Sequence, residues 1–237
     1  MKQVITKTKW YRSWRRKRAL KKVYDIPRIQ EWVNAGWISY QELGQALSDN
    51  LLEHYVATGK AVPPPHRVKE QIILKAASEI SAETLVETGT YKGEMLEALE
   101  NDFSHLYSIE IDPGYYHQAI DKFDGRSKIK LFLGDSAHVL KEVVQDLPSK
   151  PIVFWLDGHY SPADPTKGDK ICPIYEELAA ICEGLESTPF TILIDDAKQF
   201  TGEHDYPTKQ QLSEFLSSNF RLKSFEEQDD IFKVGVH

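Results

Sequence analysis

From Ser81 onward the chain alternates short β-branched or aromatic runs with helical stretches, and this rhythm restricts the fold more than any other feature. The runs are residues 84–87, 106–111, 129–133, 152–156 and 191–194, with helical patterns between them at 94–100, 115–123, 137–145 and 174–184. Strands of this apolar kind, each followed by a helix, build βαβ units in which crossover helices cover both faces of a parallel sheet. A last helix near 209–218 precedes runs at 221–225 and 231–236, close enough in sequence to pair as an antiparallel hairpin. The expected fold is α/β: a Rossmann-like, doubly wound, mostly parallel seven-stranded sheet with a C-terminal antiparallel hairpin, behind an N-terminal helical extension.

The extension occupies residues 1–66 and the sheet domain 67–237. Helical patterns at 29–33, 39–57 and 67–80 are interrupted by Pro63-Pro64-Pro65, which stops one helix and leads into the next. This segment reads as a cap or an oligomerisation element. Charge divides along the same line. Residues 1–22 carry ten Lys/Arg and no acid, whereas the remainder carries 19 basic against 36 acidic residues, a net of −17. With Trp10, Tyr11 and Trp14 set among the bases, 1–22 suits phosphate or an anionic membrane surface. The other open reading is a solvated tail or a strap on the acidic body. No apolar run is long enough to span a bilayer, and residues 1–22 lack a signal's apolar stretch, so the expected location is the cytoplasm. Cys172 and Cys182 have no paired metal-ligand spacing and read as reduced packing residues.

In an open α/β sheet, ligands collect beyond the carboxyl ends of the strands. Here those ends are polar. The first is Glu87-Thr88-Gly89-Thr90-Tyr91-Lys92-Gly93, whose glycines let the backbone turn tightly and approach a ligand. Glu87 beside the turn suits a ligand's ammonium group. The second strand ends Ile109-Glu110-Ile111-Asp112-Pro113, and Glu110 lies 21 positions beyond Gly89. That spacing places an acid on an adenosine ribose. The third ends Gly134-Asp135-Ser136, a polar pair suited to the edge of an adenine ring and equally to capping the following helix. Thr90-Tyr91 stands where a dinucleotide site needs a second small glycine, which favours a cofactor without a diphosphate.

The fourth strand ends Asp157-Gly158-His159-Tyr160 and the fifth Asp195-Asp196. Neighbouring parallel strands would bring three carboxylates to one edge, where they repel unless a cation intervenes. Magnesium matches an acidic triad lacking a His/Cys cluster. The alternative is that one aspartate caps a helix and another pairs with Lys198 or Lys170. His159, two positions beyond Asp157, could reach the same rim, and near neutral pH an imidazole can remove a hydroxyl proton, so Asp157 and His159 are the expected catalytic pair.

At these residues, over Arg67 to the C-terminus, the chain resembles the class I S-adenosylmethionine-dependent methyltransferases. The motifs 87–93 and 109–113 are similar to those of the catechol O-methyltransferase group and of the metal-dependent methyltransferases that modify macrolide and aminocoumarin antibiotic sugars. The resemblance implies that Glu87 and the glycine turn, Thr88, Gly89, Thr90, Tyr91 and Gly93, face the methionine part and Glu110 the ribose, with Ile111 and Asp157 also among the cofactor-binding residues. It places Asp135 and Ser136 at the adenine, and Asp157, Asp195 and Asp196 at a magnesium or other divalent cation. It does not transfer the base: the catechol group has a lysine where this chain has Tyr160, and the sugar enzymes have an aspartate where it has His159. The implied activity is O-methylation of a small molecule, sugar or glycolipid; the fourth strand lacks the Asn/Asp-Pro-Pro-aromatic element of many amino-group methyltransferases. Two other functions stay open: an RNA methyltransferase docking through 1–22, and a non-catalytic cofactor-binding scaffold. A homo-oligomer fits any of the three.

Overall fold

The computed structural model describes residues 2–148, 150–158, 170–185 and 188–237. The chain divides into two compact units, Met1–Gln71 and Ile72–His237.

The first unit is helical. Its elements are α1 (Lys2–Tyr24), α2 (Pro27–Asn34), α3 (Tyr40–Ala46), α4 (Asp49–Thr58) and the opening of α5 (His66–Ile80). The single helix expected over 39–57 is two, because the sequence carries two start signals. Ser39 opens a capping box in which its hydroxyl accepts from Glu42 N (3.2 Å) and its own amide donates to the Glu42 carboxylate (2.8 Å). Nine residues later Ser48 caps α4 by accepting from Leu51 N at 3.2 Å, and the intervening Leu47 is extended. Arg16 of α1 reaches across the break. Its guanidinium donates to the carbonyls of Gly44 (2.8 Å) and Leu47 and pairs with Asp49, satisfying acceptors that the end of α3 leaves without helical partners. Val23, Ile29, Trp32, Leu43, Leu52 and Tyr55 are buried in this unit.

The second unit is the expected α/β sheet. After α5 come β1 (Thr84–Thr88), α6 (Glu94–Leu99), β2 (His105–Glu110), α7 (Pro113–Lys122), β3 (Ile129–Leu133), α8 (Ser136–Gln145) and β4 (Ile152–Leu156). Then follow α9 (Ile174–Gly184), β5 (Phe190–Ile194), α10 (Lys209–Asn219), β6 (Leu222–Gln228) and β7 (Ile231–Val236). The sheet order is β3-β2-β1-β4-β5-β7-β6, with β1 to β5 parallel and β7 antiparallel to both neighbours. β1, β4 and β5 are buried at every residue; β4 reads as an unbroken apolar run for that reason, while β1 and β5 carry buried polar residues, Thr84, Glu87, Thr88 and Thr191, among their apolar ones.

Successive residues of these strands serve opposite faces. Val86, Phe154, Leu156, Ile192 and Ile194 belong to one core with Leu140 of α8, Leu178 of α9 and Leu212 of α10. Leu85, Val153, Trp155 and Leu193 belong to the other, with Ile73 of α5, Leu96 of α6 and Ala119 of α7. Phe154 is fully buried and meets Phe190 edge-on, with centroids 5.8 Å apart. Phe154→Ala should therefore lower unfolding free energy by about 3–5 kcal/mol in urea titration, whereas Ile120→Ala, at a position 42% exposed, should change it by no more than about 0.5 kcal/mol.

Candidate cofactor site

The chain runs β1, β2, β3 outward in one direction, then crosses back to place β4 and β5 on the other side of β1. The strand order thus reverses between β1 and β4, and the space beyond their carboxyl ends is the usual place for a ligand in such a sheet.

Backbone hydrogen bonds bind the strand tips into a row. Gly134 N donates to Glu110 O (2.8 Å), Gly89 N to Ile109 O (2.9 Å), Asp157 N to Thr88 O (3.2 Å) and Asp195 N to Leu156 O (3.1 Å). Residues singled out on five separate strand ends thus stand side by side. Gly89 has φ +87, and a Cβ there would lie 2.5 Å from the Asp157 carbonyl oxygen, so only glycine lets the β1 turn pass this close to β4. Gly93, at φ +66, opens α6.

The turn and the acid expected to cooperate with it are in direct contact. Tyr91 N donates to Glu110 Oε2 at 2.6 Å and Asp112 N to Glu110 Oε1 at 2.8 Å. These amides fix the Glu110 carboxylate at the tip of β2. Burial is the main cause raising its pKa, opposed by the two amides. Ile111 follows, half-buried at the tip, and Asp112 caps α7 by accepting from Tyr115 N at 2.9 Å. Tyr91 is 52% exposed and packs on Tyr115, centroids 4.6 Å apart.

Glu87 lies beneath the turn, buried. Its carboxylate accepts from Ser108 Oγ (2.6 Å), and Ser108 Oγ is 2.6 Å from Thr90 Oγ1. Burial, with the Asp157 and Glu110 carboxylates facing it, pushes its pKa up to about 8 against the pull of the Ser108 hydrogen bond. Burial thus favours its protonated form.

Asp135 caps α8, accepting from Ala137 N at 3.0 Å, so the capping role read in the sequence is real. Ser136 Oγ and Thr88 Oγ1 are buried with no hydrogen-bond partner among the described residues. Both point at Gly158: a Cβ built there would meet each hydroxyl at 3.1 Å and Glu177 Oε1 at 2.9 Å. Gly158, Ser108 and Glu177 were not anticipated as site residues. Glu177 had a legible signal, since it lies on the same α9 face as Ile174, Leu178 and Ile181, all buried. A charged residue on an apolar face needs a polar neighbour.

Asp157, Asp195 and Asp196 occupy adjacent tips, yet among the described residues no group of three or more His, Cys, Asp or Glu side chains could hold a metal ion. Asp196 is turned into the left-handed region at φ +54, and its carboxylate pairs with Lys198 at 2.8 Å. Lys198 also binds Asp230 at 2.5 Å, so a protein cation already serves the charge expected to face a metal. Among the described residues, therefore, the three aspartates do not form a metal-holding group. His159 lies outside the described residues. Both cysteines are free thiols, and burial pushes Cys172 up to about 12.

No protein-family model and no curated protein matches this sequence. Solved structures do match the fold. A S-adenosylmethionine-dependent methyltransferase from Clostridium acetobutylicum aligns at TM-score 0.52 and 11% identity over 79% of this chain and 98% of its own. A candidate caffeoyl-CoA O-methyltransferase from Staphylococcus aureus aligns at TM-score 0.51 and 13% identity over 86% and 99%. The SAH-bound methyltransferase PaMTH1 of Podospora anserina aligns at TM-score 0.50 and 17% identity over 81% and 89%. The chain therefore has the Rossmann-like class I methyltransferase fold.

The unfolded chain releases the Glu87 proton near pH 4.5, whereas the folded chain holds it to about 8. Between those values the unfolded state binds fewer protons, so this group's contribution to stability declines as pH rises. In urea titrations between these pH values, Glu87→Gln should gain on the parent chain as pH increases; parallel curves would refute the raised pKa.

Proposed function

We propose that this chain is an S-adenosylmethionine-dependent methyltransferase acting on a hydroxyl of a small molecule, sugar or glycolipid. The observation that carries the reading is the contact between the glycine turn and Glu110: a backbone amide of the turn and the acid of the second strand converge at 2.6 Å. That convergence makes a nucleoside cradle, and its donors fit the cofactor. The carboxylate of Glu110 has lone pairs left for ribose hydroxyls after accepting two amides, while the Thr88 and Ser136 hydroxyls have hydrogen-bonding capacity to offer. Glu87, buried below the turn, suits the positive methionine end of the ligand.

When bound, the cofactor supplies a methyl group already activated on a sulfonium. The protein's task is then to hold donor and acceptor in line and to remove the acceptor's proton. We assign the second role to His159, two residues beyond Asp157 in the sequence, with Asp157 at the rim beside Gly89. No step of this scheme is routed through magnesium, which the sequence resemblance implies, because among the described residues no group of three or more His, Cys, Asp or Glu side chains could hold a metal ion. The hydroxyl acceptor is supported by the sequence that ends β4, Asp157-Gly158, which differs from the proline-rich element of many amino-group methyltransferases.

Calorimetric titration with S-adenosylhomocysteine should show one site per chain. Glu110→Ala should weaken it roughly ten- to a hundredfold, the loss expected for hydrogen bonds to a charged group. Absence of binding to the parent chain would end the reading. His159→Ala should leave that binding unchanged while abolishing the rise of kcat through about pH 6.5, where an ordinary imidazole loses its proton.

A further inference from the structure

The cationic helix α1 has two sides with different fates. Its inner side is engaged by the first unit: Val23 is buried, Arg16 spans the junction of α3 and α4, and Arg15 pairs with Glu53 of α4 at 3.6 Å. The outer side carries Tyr11, Trp14, Arg18 and Lys21, spaced i, i+3, i+7 and i+10, so that they form one stripe along the helix. Lys17 and Lys22 flank it, also exposed. Tyr11 is 54% exposed and Trp14 45%, their rings stacked at 6.2 Å, and the Arg18 guanidinium lies over the Trp14 ring at 5.6 Å. No acidic residue occurs in 1–22, so nothing on the helix itself neutralises the stripe.

We infer that this outer face of α1 docks on an anionic lipid surface. Charge decides the sign of the partner: ten basic residues without an acid select a polyanion. Shape decides its form. A nucleic-acid groove grips a helix from both flanks, but the inner side of α1 meets α4 and its carboxylates Asp49 and Glu53, which would repel phosphates on that side. One flat stripe remains, and a planar sheet of headgroups meets it along its whole length. Tryptophan and tyrosine settle at the headgroup level of a bilayer, and each Lys or Arg near an anionic leaflet adds attraction that salt screens. The helix is polar on average, and no helix among the described residues is long and apolar enough to cross a membrane, so the docking is peripheral and reversible.

The full chain is tested by co-sedimentation with vesicles of phosphatidylcholine alone and with about one third phosphatidylglycerol, at about 0.1 M and about 0.5 M salt. Binding should require phosphatidylglycerol and weaken at least about tenfold at the higher salt. The double variant Arg18→Glu, Lys21→Glu should bind at least about tenfold more weakly, and Tyr11→Ala, Trp14→Ala should also bind more weakly, with thermal unfolding unchanged since all four side chains are exposed. Equal binding to both vesicle types, or parental binding by the charge-reversed variant, overturns the inference. So does salt-sensitive binding to single- or double-stranded RNA in place of vesicles.

Discussion

The second unit depends on hydrogen bonds that continue past the ends of its strands. Within a parallel sheet each strand is held by its neighbours, and ordinarily that pairing stops where the chain turns away. Here Gly134, Gly89, Asp157 and Asp195 each donate one further amide to the adjacent strand's last carbonyls. The turns are thus registered against one another as firmly as the strands, and side chains that follow them inherit that register. Glycine at position 89 is what this closeness demands, because the Asp157 carbonyl occupies the space a methyl would need.

The row concentrates acid. Glu87 faces both the Glu110 and Asp157 carboxylates, and Glu87 and Glu110 are buried, in a unit that is acidic overall. Such an arrangement would be self-repelling if all were ionised. The sheet resolves it in two ways: amides hold Glu110 and a serine hydroxyl holds Glu87, while burial keeps Glu87 protonated near neutrality. The same acidity that makes the site receptive to a cation makes it inhospitable to phosphates, which sets it apart from the basic helix α1.

Strand positions and their mostly parallel pairing were legible because largely apolar runs buried on both faces leave a strong signal, and the Gly89–Glu110 spacing was legible because it is a distance along a βαβ unit; the strand order was read only from the structure. The division of 39–57 was readable in principle from Ser39 and Ser48 but was masked by apolar periodicity running through both helices. The fate of Asp196 was not readable as one answer. Whether its carboxylate meets a metal or Lys198 turns on a left-handed backbone and on Asp230, which is far away in sequence. Glu177 falls between these cases: its misfit on an apolar helix face is visible in the sequence, whereas its approach to Gly158 needs three dimensions.

The bend joining β6 to β7 grips the tip of β5. Ala197 N donates to Asp230 O (2.7 Å), Lys198 N to Asp230 Oδ1 (2.8 Å), and β7 itself lies directly against β5. β5 therefore acquires its second neighbour only from residues 231–236, made after every other strand. During synthesis on the ribosome the rim would stay open on one side while the glycine turn is already in place. The hairpin would thus complete the edge of β5 and fix the Ala197–Lys198 turn beside it, last of all the strands.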